Sequence, residues 1–93
     1  MEIVWSSLAT DNFECVLNYV EEQFGISVAQ KTYKTIISKI NQLAAFPLIG
    51  IPDFDLSSFV EGGEVRYLIS TPNIVYYLVD NNEVVIVAIV HSK

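Results

Sequence analysis

Between Leu8 and Phe24 the apolar residues Leu8, Phe13, Val16, Leu17, Val20 and Phe24 keep to steps of three and four, while Asp11, Glu14, Asn18, Glu21 and Glu22 fall mainly elsewhere. The spacing predicts an amphipathic helix over residues 7–24. Ser6 offers a side-chain oxygen to the orphan amides at its start, and Gly25 suits a left-handed position at its end. The same period returns in Ala29, Tyr33, Ile36, Ile37, Ile40, Leu43 and Ala44, with Lys31, Lys34, Ser38, Lys39 and Gln42 largely on the other side. Ser27 followed by Gln30 reads as a capping box for this second helix, and Pro47 stops it near Phe46. So short a connection predicts an antiparallel helical hairpin.

Elsewhere the period is that of strands. Glu2 to Trp5 favours a β-strand, and from Glu64 onward the chain is rich in β-branched and aromatic residues punctuated by Pro72-Asn73 and Asp80-Asn81-Asn82. Three consecutive antiparallel strands are expected over 64–71, 74–79 and 83–91. Residues 47–63, with Gly50, Pro52, Asp53 and Gly62-Gly63, read as a loop in which Phe54 and Phe59 anchor onto the core. The whole is a single α+β domain over residues 1–93, of order β-α-α-β-β-β. In it the two-helix hairpin packs on one face of a mainly antiparallel four-stranded sheet.

The last strands do not alternate. Ile74 to Val79 and Val84 to Val90 are apolar on both faces, and the hairpin covers only one of them. A partner protein or a second copy of the chain is expected on the other, the alternative being that the 47–63 loop folds over it.

Composition narrows the choice of function. Apolar residues make up 52% of the chain and charged residues 17%, yet the longest apolar run, Val84 to Val90, is far shorter than the roughly 20 residues of a membrane span. No secretory signal is visible at the N-terminus, and a cytoplasmic protein with no membrane partner is expected. A net charge of −6 works against binding naked nucleic acid. Cys15, the single cysteine, allows no internal disulfide and reads as an inert, partly buried thiol; Asp53 and Asp55 have no histidine or third carboxylate beside them. Neither a metal nor a cofactor is expected.

Several residues together carry a resemblance. They are Trp5-Ser6, Leu43-Ala44-Ala45-Phe46-Pro47 with Gly50 following, Val65-Arg66-Tyr67-Leu68, Pro72, Tyr77, Asp80 and His91. In these the chain resembles the RelE/ParE superfamily of toxins from type II toxin-antitoxin (plasmid stabilisation) systems, over almost its entire length. The resemblance implies a growth-inhibiting toxin neutralised by a cognate antitoxin that wraps it, which would cover the apolar sheet face. It leaves two targets: the RelE-like branch cuts messenger RNA on the ribosome, whereas the ParE-like branch binds and inhibits DNA gyrase. Arginines frequent in the family correspond here to Ile69, Ile74, Leu78 and Ala88, and the chain ends at His91-Ser92-Lys93 without a basic, aromatic tail.

Ribonucleolytic cleavage needs a base, an acid and cations around the phosphorane. The residues left for it are Arg66, His91 and Lys93, with His91 as acid or base and the two cations on phosphate. Against this, His91 can cap a strand, Tyr77 can be a core aromatic with a satisfied hydroxyl, and Arg66 can pair with Glu64 or with the antitoxin. Leu68, Val75 and Tyr77 on the sheet and Lys31, Lys34 and Lys39 on the second helix are the candidate partner-binding residues. The favoured reading is a binding toxin rather than an enzyme, acting on a protein such as gyrase. A ribosome-dependent endoribonuclease, or a homologue that has lost toxicity and acts as a binding module, are the alternatives.

Overall fold

Ser6 links the first helix to the sheet. The computed structural model describes residues 1–91, and in it β1 (Glu2–Trp5) runs directly into α1 (Ser7–Phe24). The Ser6 Oγ accepts the Ala9 N–H at 3.0 Å and donates to the Val87 carbonyl at 2.8 Å. The cap expected from sequence therefore also pins the helix start to the last strand.

α2 (Ile26–Asn41) follows after Gly25 alone and tightens into a 3-10 turn over Gln42–Ala44. Gly25 has φ 93° and ψ 169°, a positive φ with extended ψ that side chains resist. Its N–H closes α1 on the Glu21 carbonyl at 2.9 Å, and its own carbonyl accepts the Ala29 N–H at 3.1 Å. The expected Ser27–Gln30 capping box is absent: α2 begins one residue before Ser27, with Gly25 in the cap position and no side-chain bond there.

The sheet has five strands rather than four. β2 (Ile51–Pro52), β3 (Glu64–Ser70), β4 (Asn73–Val79) and β5 (Glu83–His91) join β1 in the order β1-β5-β4-β3-β2, parallel between β1 and β5 and antiparallel elsewhere. The additional strand comes from the 47–63 loop, where Ile51 pairs with Tyr67 and Pro52 with Arg66, followed by the single turn α3 (Phe54–Ser57). Phe54 and Phe59 do not anchor the loop; they are 79% and 85% exposed. Small polar groups fix the backbone instead. The Asp53 N–H donates to the Val65 carbonyl at 2.9 Å, and the Val65 N–H donates to Ser57 Oγ at 2.8 Å.

The hairpin and the sheet bury Ala9, Phe13, Ile36, Ile40, Leu43, Val75, Tyr77, Val84, Ile86 and Ile89 between them. The apolar stripes are narrower than their sequence period suggests, since Leu8 and Phe24 at the ends of α1 are exposed. A bulge between Tyr76 and Tyr77 places Val87 as the extra residue of β5. Its carbonyl is the acceptor for Ser6, and the next free amide, Ile89 N–H, donates to Asn12 Oδ1 at 3.0 Å. Both satisfying side chains come from the α1 end of the molecule.

The second sheet face stays open. Register places on it the rows Ile69–Ile74–Val90, Ile51–Tyr67–Tyr76–Ala88 and Val65–Leu78–Val85–Val4. The 47–63 segment covers it only at the Val65–Leu78 corner, where Gly63 lies against the Leu78 and Val60 side chains. The alternative in which this loop closes the face is thus realised at one corner alone.

Candidate functional site

Tyr77 projects from β4 into the core and is fully buried. Its hydroxyl accepts the Gly50 N–H at 2.9 Å and donates to the Pro47 carbonyl at 2.8 Å. Burial pushes the phenol's pKa above its ordinary value, opposed by the Gly50 hydrogen bond and the nearby Arg66 charge, with a small upward contribution from Glu64. A Cβ at Gly50 would land on the Tyr77 hydroxyl, so only glycine fits this approach.

Arg66 is the cross-strand neighbour of Tyr77 and closes on the same loop. Its Nη1 donates to the carbonyls of Leu48 at 2.9 Å and Gly50 at 2.7 Å, and its Nη2 pairs with Glu64 Oε1 at 2.8 Å. Its Nε is buried without a partner among the described residues. Every formed contact of this guanidinium goes to the chain's own loop and carboxylate. A cation so engaged holds structure before it can hold phosphate.

His91 is not beside Arg66. It is register partner to Asn73, whereas Arg66 is partner to Tyr77, four residues further along β4, roughly 13 Å at ordinary strand rise. Lys93, the third candidate of that set, lies outside the described residues. His91 instead borders a groove of about 700 Å³ at the end of the sheet, walled by Val16, Val20, Phe24 and Val28 of the hairpin. Ser70, Asn73 and His91 form one row across three strands on the floor side of that groove. Of this row only His91 was expected from sequence; Ser70 and Asn73, strand-end residues beside Pro72, read there only as turn chemistry.

The remaining candidates are dispersed. Lys31 borders the groove, Lys34 borders a separate hollow with Leu17, Glu21 and Tyr33, and Lys39 Nζ donates to the Ile69 carbonyl at 2.9 Å. Val75 and Tyr77 are fully buried and Leu68 packs on the same core, so these three face the hairpin and not the open side. That is a reversal of strand parity: the residues free to meet a partner are their neighbours Tyr67, Ile69, Ile74 and Tyr76. Cys15 is exposed rather than partly buried, and it lines the groove. No group of three or more His, Cys, Asp or Glu side chains gathers among the described residues.

The four positions at which the resembling family frequently has arginine, Ile69, Ile74, Leu78 and Ala88, all fall on the open face. The three apolar rows contain no charged residue, and the Glu2–Glu83 pair that continues the face beyond Val4–Val85 adds carboxylates but no cation.

A helical hairpin on a mixed sheet with this element order is the architecture of the RelE/ParE superfamily of toxins. The sequence matches the family model "ParE toxin of type II toxin-antitoxin system, parDE" over residues 3–93, and the chain belongs to that family. A solved structure described as "Chromosomal ParDE TA system from P. aeruginosa" has the same fold, with TM-score 0.77 and 19% identity, covering 100% of this chain and 97% of the other. No curated protein matches the sequence. No helix of the described residues is long and apolar enough to cross a membrane.

Proposed function

We propose that this chain is a toxin that acts by binding its target, with DNA gyrase as the favoured target, and that a cognate antitoxin neutralises it by covering the open sheet face. The observation that carries this is the composition of that face: three apolar rows, edged by the Glu2–Glu83 pair, with no cation in any of them, where phosphate chemistry would require cations. Arg66 being occupied by Leu48, Gly50 and Glu64, and distant from His91 along β4, supports a non-enzymatic mechanism. An exposed apolar surface of this extent favours a protein partner. The match to a ParDE system supports an antitoxin as that partner and the cytoplasm as the place of action.

Tightly controlled induction of the chain alone tests the reading. The expected outcome is growth arrest with intact transcripts, inhibition of supercoiling by purified gyrase, and rescue by co-expression of the small protein encoded beside it. Transcripts cut on the ribosome would replace this reading with the endoribonuclease, and unimpaired growth with soluble protein present would replace it with a binding module that has lost toxicity. Should the chain be a nuclease, Arg66→Ala and His91→Ala abolish activity in a folded domain; a binding toxin is insensitive to His91→Ala.

A further inference from the structure

Around and beyond the clamp on Gly50 the chain sets large apolar side chains in water. Leu48, Ile49, Ile51, Phe54, Leu56 and Phe59 are all exposed, Phe54 and Phe59 to 79% and 85%. Exposed loops are commonly mobile, yet the backbone of this stretch is held along its length. Arg66 Nη1 donates to the Leu48 and Gly50 carbonyls, and the Asp53 N–H to the Val65 carbonyl. Asp53 Oδ1 accepts the Leu56 N–H at 3.0 Å, Ser57 Oγ donates to the Asp53 carbonyl at 2.7 Å, and the Phe59 N–H closes on the Leu56 carbonyl at 3.1 Å. The segment is ordered before any partner arrives, so a contact made here loses little conformational freedom. Exposed apolar surface prepared in this way marks an interaction site.

Charge narrows what it fits. Residues 48–64 contain Asp53, Asp55, Glu61 and Glu64 and no lysine, arginine or histidine. Asp53 is engaged in its helix cap and Glu64 with Arg66, whereas Asp55 and Glu61 are exposed and in no ion pair among the described residues. We propose that residues 48–59 are the surface by which the toxin holds its target, with Phe54 and Phe59 as anchors in an apolar hollow bordered by lysine or arginine, and Asp55 and Glu61 facing those cations. The proposal rests on the binding-toxin reading and names the part of the chain that does the binding. A protein that handles DNA carries such cations for the phosphates, so the sign of the charge suits a target of that class. A second copy of the chain would set these carboxylates against their own kind, and an anionic lipid surface would repel them. Of this stretch only Ile51 lies in the rows of the open sheet face, so the seats of target and antitoxin adjoin there and otherwise differ.

The experiment measures binding of the full chain to purified DNA gyrase at low and at high salt, beside its binding to the small protein encoded next to it. Phe54→Ala with Phe59→Ala removes two exposed rings and should leave the melting temperature unchanged. Gyrase binding should weaken about tenfold or more, with the affinity for the small protein as in wild type. Asp55→Asn with Glu61→Gln should also weaken gyrase binding and make what remains less sensitive to salt. Wild-type affinity in the ring variant overturns the proposal and leaves the binding-toxin reading in place, and an unaltered salt response in the carboxylate variant overturns the cationic hollow. Failure of the wild-type chain to bind gyrase overturns that target, and the proposal with it. Loss of the small protein rather than of gyrase by the ring variant gives this surface to the antitoxin. Association of wild type, but not of the ring variant, with phosphatidylglycerol vesicles makes it a membrane contact; either result overturns the assignment to the target.

Discussion

Tyr77 and Arg66 reach the same short stretch of chain from adjacent strands, and what they hold there is main chain. Tyr77→Phe preserves the ring but leaves the buried Gly50 N–H and the Pro47 carbonyl without their partner. A loss of about 1–3 kcal/mol is expected, read from urea denaturation. The same residue gives the protein an alkaline limit. Below the ordinary tyrosine pKa of 10.0 the phenol is protonated in both states and adds no pH dependence. Above it the unfolded chain loses this proton while the buried phenol, its pKa raised, keeps it, so stability falls as pH rises toward the folded pKa. The melting temperature of wild type should therefore decline more steeply beyond about pH 10 than that of Tyr77→Phe. Sequence alone names Tyr77 and Arg66 as residues worth attention, but their partners are carbonyls and an amide, which no residue type announces. Glu64 is the exception: a carboxylate two places from Arg66 is legible, and the 2.8 Å pair forms.

Among the elements, the helices are the most legible because their period selects one face. Phe13, Ile36 and Ile40 are buried as the spacing requires. The strands are less so. Ile74 through Val79 are all apolar, so nothing in the pattern says which parity meets the hairpin: Leu68 and Val75, expected to meet a partner, face the core instead, while Tyr77 takes the other reading the sequence offers, a core aromatic with a satisfied hydroxyl. β2 is only two residues long and includes a proline, too little for a pattern to show. The bulge at Val87 is equally silent in sequence, yet it is what brings α1 into register with β5. Ser6→Ala removes both the helix cap and the hydroxyl on the Val87 carbonyl, with an expected loss of about 1–2 kcal/mol in denaturation. Asn12→Ala frees the Ile89 amide, and its hydrogen exchange should quicken selectively over that of its strand neighbours.

At the scale of the whole molecule, one sheet face is core and the other is surface with the composition of core. The sequence points to such a face, since Ile74 to Val79 and Val84 to Val90 are apolar on both sides of the sheet, but it leaves the 47–63 loop as an alternative cover that only the structure confines to one corner. Ile74→Lys with Val90→Lys places two charges in one open row, at half-buried and exposed positions outside the hairpin core. The doubly substituted chain should remain folded, sediment as a monomer and lose antitoxin binding; unchanged binding would remove the open face from that interface. Self-association of the wild-type chain, if sedimentation shows it, should disappear in the same variant.

The clamp formed by Arg66 and Tyr77 grips Pro47, Leu48 and Gly50 by their peptide groups, and only Gly50 is constrained in what it carries. Leu48 and Ile49, exposed between these grips, contribute no side-chain hydrogen bond to the loop's fixation. Evolution, or an engineer, can therefore rewrite those two letters while the scaffold beneath keeps its shape.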